Sequence, residues 1–216
     1  MTAVSPPAAL GQLSLFELIT DYPGHFLRVK RTMIDLSHAI EEAAARTAQP
    51  GWLFAGFQRF SLFRSEAQRY ARLAAALRGC YIFGVPDVAP PELPGITALA
   101  LPQESPLCRE WFVVVDGPDF ATALLSADVT GDALPDPMRR FMGIWSADPT
   151  LVRAASTRLC AALDLPTPDW QPNLGGTLAG YEAISNYVLA LSEERWLTRR
   201  RRHQPAAGAV DEPLCT

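Results

Sequence analysis

The sequence predicts an α/β fold, a central mixed β-sheet of about five or six strands with packed helices, followed by a C-terminal helical extension. Three observations carry that expectation. Short, almost wholly apolar runs recur at 52–57 (WLFAGF), 80–85 (CYIFGV) and 111–115 (WFVVV), as expected of strands covered on both faces. Between them lie segments whose apolar residues repeat at helical spacing. Prolines and glycines punctuate the joins and no internal repeat is visible, so the two periods describe one sheet with helices laid against it.

Residues 1–12 carry Pro6 and Pro7 among small residues and read as a loose leader. Residues 13–20 (LSLFELIT) predict a short helical turn docked on the core, and 26–29 a short strand. The first clear helix spans 31–46, with Met33, Leu36, Ile40 and Ala43 as its buried stripe, and Pro50 and Gly51 end it. After the 52–57 strand, a helix over 64–78 turns Ala67, Tyr70, Ala71, Ala74 and Leu77 inward, with Gly79 as its C-cap. The 80–85 strand leads into a loop marked by Pro86, Pro90, Pro91 and Pro94, and 96–101 returns as a strand.

The 111–115 strand closes on an Asp116-Gly117-Pro118 turn, after which Asp119 is placed to cap a short helix over 120–127. A strand follows at 141–145, and Asp148-Pro149 opens a helix over 151–163. Past Pro166 a proline- and glycine-rich linker reaches Gly176, and a helix over 178–197 carries the stripe Tyr181, Ile184, Val188 and Leu191. The organisation expected is a domain over 13–165, a linker and helix over 166–200, and a flexible tail over 201–216.

Composition narrows the functional classes. With 216 residues, 49% of them hydrophobic and 19% charged, the chain has the make-up of a globular protein large enough for a sizeable core. Its net charge of −4 supplies no field for recruiting nucleic acid or an acidic membrane. Cys80, Cys108, Cys160 and Cys215 form no close pair, and His25, His38 and His203 have no second histidine at ligand spacing. Neither a disulfide scaffold nor a metal site is expected. The N-terminus lacks the basic start and apolar run of a signal peptide, and no stretch is long and apolar enough to span a bilayer. A reducing, aqueous compartment, the cytoplasm, is the expectation, with no membrane partner.

Searches for catalytic patterns return nothing. There is no phosphate-binding P-loop, no dinucleotide fingerprint after a strand, and no G-x-S-x-G elbow, and Gly175-Gly176 reads as a turn in the linker. The richest polar cluster is on the first helix: Lys30, Arg31, Ser37, His38 and Glu41. His38 and Glu41, three apart, share a helix face. They serve either as a proton-transfer pair or as a histidine satisfied by a carboxylate, and the second, structural reading is the commoner arrangement. Gln58 and Arg59 close the first strong strand, where α/β sheets open their ligand crevices, although a glutamine there serves equally to cap a loop.

Arg109 is suited to clamping an anion or to pairing with Glu110 or Asp116. Phe57, Tyr70, Trp111 and Trp145 are candidates for an apolar ligand wall, against the plainer role of core aromatics. The arginine run 199–202 reads as a solvated helix end rather than a nucleic-acid contact.

Several separated runs share a further property. SLFELIT (14–20), KRTMIDLSHAIEE (30–42), LFAGFQ (53–58), REWFVVVDGPDF (109–120) and RRFMGIWSADPTLV (139–152) together resemble the DICT sensory domain over roughly residues 13–165. The resemblance implies a bacterial signal-input domain that occurs with diguanylate cyclases and two-component proteins. Such a domain is commonly joined to an output module or a DNA-binding helix-turn-helix, and has an association with light responses. It implies no catalytic residue and no cofactor.

The residues after 165 are too few for a cyclase or kinase domain, so the expected action is in trans. The expected partner is an output protein: a cyclase, a kinase or a transcription regulator. The expected ligand site is bordered by Lys30, Arg31, His38, Glu41, Phe57, Gln58 and Arg59, with Tyr70, Arg109, Trp111 and Trp145 as further candidates. The C-terminal stripe is expected to meet a partner or to form a homodimer. The rivals are a ligand-free interaction module and a small enzyme built on His38 and Glu41.

Overall fold

The structure, a computed structural model, describes residues 8–131 and 135–203. Seven strands form one mixed sheet: β1 (Phe26–Val29), β2 (Trp52–Arg59), β3 (Gly79–Val85), β4 (Ile96–Ala100), β5 (Glu110–Asp116), β6 (Ala121–Asp128) and β7 (Arg140–Ser146). Their order is β1-β7-β6-β5-β2-β3-β4. The β2–β3 and β3–β4 pairs are parallel and the others antiparallel. Among the described residues four helices complete the fold: α1 (Lys30–Ala44), α2 (Phe60–Ala74), α3 (Pro149–Ala162) and α4 (Leu174–His203).

Two-residue alternation explains why the central strands read as continuous apolar runs. Trp52 and Phe54 of β2, with Phe112 and Val114 of β5, face one side and pack on α3 and the N-terminal turns through Leu10, Leu15 and Ile19. Leu53, Ala55, Val113 and Val115 face the other side, where α1, α2 and α4 lie. Both faces are buried, so the middle of each of these strands is apolar at both register positions and polar residues fall at the ends.

The α/β class matches the sequence expectation, and the extra strand is β6, where the sequence predicts a helix over 120–127. Its alanines and leucines suit a helix by intrinsic preference. Tertiary context overrides that preference: the segment is hydrogen-bonded to β5 on one edge and β7 on the other, and is buried almost throughout. Asp119 does not cap a helix; it accepts the Gln49 amide at 2.8 Å.

Other boundaries shift for local reasons. α2 starts at Phe60, directly off β2, because Asp87 accepts the Ser61 amide at 3.0 Å and caps it. It ends at Ala74, so Gly79 is not its cap but the first residue of β3. Gly175 and Gly176 lie in the first turn of α4 rather than in a linker. Asn173 caps that turn, accepting from Gly175 N through Oδ1 and from Thr177 N through its carbonyl, each at 2.9 Å. A Cβ on Gly176 would overlap the Asp119 carbonyl, which is how the helix approaches the β5–β6 turn so closely.

The leader is partly docked. Ala8–Gly11 forms a 3-10 turn with Leu10 fully buried and its carbonyl held by Ser105 Oγ at 2.6 Å. Of the expected tail, 201–203 belong to α4 and 204–216 lie outside the described residues, as do residues 1–7 and the side chains of the arginine run 199–202.

Candidate functional site

A cavity of about 330 Å³ lies between α1, α2 and the sheet. Its floor is β2 and β5, through Ala55, Gly56, Phe57, Trp111 and Val113. α1 presents Ile34, Ser37, His38 and Glu41, spaced so that one helix face looks into the site. α2 presents Leu62, Ser65, Glu66 and Arg69 with the same spacing. Lys30 and Arg31 from the start of α1, and Asp136 and Pro137 from the β6–β7 connection, form the mouth.

Charge pairs clamp the two helices together. Glu41 accepts from Tyr70 Oη at 2.6 Å and from Arg69 Nη2, and Arg69 Nε donates to Glu66 at 3.0 Å. His38 Nε2 lies 3.2 Å from Glu66. At the mouth, both Asp136 oxygens accept from Lys30 Nζ at 2.6 Å. Arg31 lies 3.5 Å from Asp35, which also holds Arg195 of α4 at 2.6 Å. Trp111 Nε1 donates to Ser37 Oγ at 2.9 Å across the cavity floor.

This environment moves several titrations. Burial pushes the Glu41 carboxyl up, against the opposing pull of Arg69 and the Tyr70 hydroxyl. Arg69 is held firmly charged by Glu41 and Glu66 against the cost of its own burial. Burial and the Arg69 charge together keep His38 below its ordinary value, in spite of Glu66. Cys80, behind Glu41, is pushed up to about 12 by burial and that carboxylate, so its thiol is not a nucleophile near neutrality.

The cavity brings together six of the residues singled out from sequence: Lys30, Arg31, His38, Glu41, Phe57 and Trp111. Tyr70 stands just behind it as a partner of Glu41. Four others lie elsewhere. Arg59 and Arg109 are exposed at the ends of their elements, and Arg109 reaches toward Gly131 rather than pairing with Glu110 or Asp116. Gln58 is buried with a left-handed φ of 62° at a register shift between β2 and β3, and its Nε2 has no partner among the described residues. Trp145 belongs to the seat of α4, stacked on Tyr181 with ring centroids 4.5 Å apart.

His38 and Glu41 share a face, but each bonds to a different residue of α2 and not to the other. The stripe on α4 faces inward: Ile184 is fully buried, Tyr181 Oη lies 2.7 Å from Thr122 Oγ1, and Val188 and Leu191 are half-buried. The outward face carries Leu174, Leu178 and Leu189 instead.

Sequence reasoning missed Arg69, Glu66 and Asp136. The signal for the first two was present: Glu66 and Arg69 repeat on α2 the three-residue spacing of His38 and Glu41 on α1, with complementary charge. Asp136 lies in an irregular connection, where no periodicity marks it.

The family model described as a sensory domain in diguanylate cyclases and two-component systems matches residues 12–128, more than half of the chain. The chain belongs to the DICT family. That description is of a sensory, not a catalytic, family. The match includes α1, α2 and the whole cavity floor, and stops before β7, which the DICT fold of this chain requires to join β1 to β6.

No curated protein matches. Among solved structures, polyphosphate kinase from Porphyromonas gingivalis aligns with a TM-score of 0.39 at 15% identity, over 78% of this chain and 28% of that one, a likeness too slight to carry an argument. No helix among the described residues is long and apolar enough to cross a membrane.

Proposed function

We propose that this DICT domain is a signal-input module that takes a small ligand in the α1–α2 cavity and passes the signal through α4 to an output protein in trans. The observation that carries the reading is the continuity between cavity and helix. Arg31 lines the cavity, Asp35 bridges Arg31 to Arg195, and Arg195 stands on α4. A cavity of about 330 Å³ with apolar walls and a few converging polar groups has the dimensions of a small-molecule site.

Ligand contact at Arg31 changes the hold of Asp35 on α4 and so biases α4 between docked and released arrangements. In the docked arrangement Tyr181, Ile184, Val188 and Leu191 are covered by the sheet and α1; release presents them to the partner or to a second copy. Purification from the native host, followed by an absorption spectrum and denaturing mass spectrometry, tests the reading. A small molecule should leave with the unmodified protein and be absent from a cavity-filling Ile34→Trp variant that keeps the native circular dichroism. A released compound retained equally by both proteins, or none in either, removes the reading.

The exposed leucines Leu174, Leu178 and Leu189 lie along one face of α4 and favour a second reading, a ligand-free interaction module. In that case α4 binds its partner while docked, and replacing the three leucines with serine abolishes binding.

A further inference from the structure

Every charged side chain that lines the cavity already has a counter-charge of this chain beside it. Glu41 has 2% of its surface exposed and is held by Arg69, which also takes Glu66. Arg31 is paired with Asp35. Lys30, with 8% of its side chain exposed, is paired with Asp136, whose side chain is 61% exposed. His38, kept below its ordinary value by burial and by Arg69, adds no charge at neutral pH.

An anionic ligand can gain a cation at the inner end only by taking Arg69 from Glu41, which would leave a buried carboxylate uncompensated. A cationic ligand would have to take Glu41 from Arg69, with the same consequence, or compete with Arg69 and His38 for Glu66. The walls that remain are Ile34, Ala55, Phe57, Leu62, Trp111 and Val113. Among them Ser37 Oγ accepts from Trp111 and keeps its own proton to donate. That set fits a flat apolar body bearing one neutral acceptor.

We infer that the cavity selects an uncharged, mainly apolar ligand of about two fused rings, and that Asp136 enforces this by occupying the anion position beside Lys30. The inference rests on the ligand-binding reading above and adds the chemical class. Lys30 is buried and Asp136 exposed, so removing Asp136 leaves the Lys30 ammonium at the mouth without its counter-charge and open to a ligand anion.

Isothermal titration of the full chain with 1-naphthol, 1-naphthoate and 1-naphthylmethylammonium at pH 7 tests both parts. On the unmodified protein, naphthol should bind about tenfold or more tighter than either ion. Asp136→Asn should raise naphthoate affinity by about tenfold and leave naphthol within about twofold, and adding Lys30→Met should remove that gain. Either ion binding the unmodified protein as well as naphthol does overturns the neutral class and leaves the ligand-binding reading standing. Naphthoate gaining nothing from Asp136→Asn overturns the role of Asp136. Binding by none of the three overturns the inference together with the reading beneath it.

Discussion

Trp111 and Phe112 are neighbours on β5 that point to opposite sides of the sheet, and they meet different physical environments. Phe112 is fully buried against Phe83, ring centroids 5.5 Å apart, and sits so close to Gly56 that no Cβ fits there. Buried polar groups on that side are tied to structure. Glu110 accepts from Ser14 Oγ at 2.6 Å and Leu15 N at 2.9 Å, anchoring the N-terminal turn. Asp116 takes Trp170 Nε1 at 2.9 Å and the Ser156 hydroxyl, holding the segment after α3.

Trp111 instead borders a cavity whose buried charges connect two helices and a loop. One face is filled, and its polar groups fasten chain ends. The other is also packed, but around a cavity whose inner end is held by paired charges. The two faces of one sheet thus differ in how their buried polar groups are used, and substitutions on each should differ in kind.

The largest difference is expected in the response to truncation. Phe112→Ala should cost about 3–5 kcal/mol of unfolding free energy, read from urea melts, at any pH between 5 and 8. Arg69→Leu should cost about 3 kcal/mol at pH 7, because it leaves Glu41 buried and unpaired. Its cost should be pH-dependent. Burial already raises the Glu41 carboxyl, loss of Arg69 raises it further, and a proton taken up as the pH falls removes the uncompensated charge. The Arg69→Leu penalty should therefore shrink between pH 7 and pH 5, and a flat penalty would place the carboxylate in contact with solvent.

The smallest effect concerns His38. Its folded value lies below its unfolded one, so the unfolded chain binds the extra proton and stability falls as pH drops below about 6.5. His38→Gln should flatten that slope while changing stability at pH 7.5 by less than about 1 kcal/mol.

What could be read from sequence follows from the same division. Strands with both faces buried announce themselves as apolar runs, and α1 shows its stripe because one side packs and the other does not. β6 was illegible because its residues suit a helix in isolation, and only the slot between β5 and β7 makes it a strand. The cavity wall on α1 was legible as a polar cluster on a helix that should be amphipathic. The wall on α2 was harder to read, since Glu66 and Arg69 look like solvated charges until α1 is laid beside them. Gln58 is placed by the strand's alternation: Leu53, Ala55 and Phe57 face the cavity side, so Phe57 lines the cavity and Gln58 does not.

The position of β1 at the sheet edge carries a consequence for how the chain assembles on the ribosome. β1 is made early, yet it pairs with β7, which emerges more than a hundred residues later. The β2–β3 pair and the β5–β6 hairpin can form from nearby sequence, whereas β1 must wait for a distant strand, with the loop-closure entropy that such a contact costs. Lys30 immediately follows β1, its amide bonds to the Arg139 carbonyl at 3.0 Å just before β7, and its ammonium group holds Asp136. The mouth of the cavity is therefore completed only once β7 has emerged and the sheet closes, after the β2–β3 and β5–β6 pairs can already form. The same seam is the natural first place for the finished domain to part.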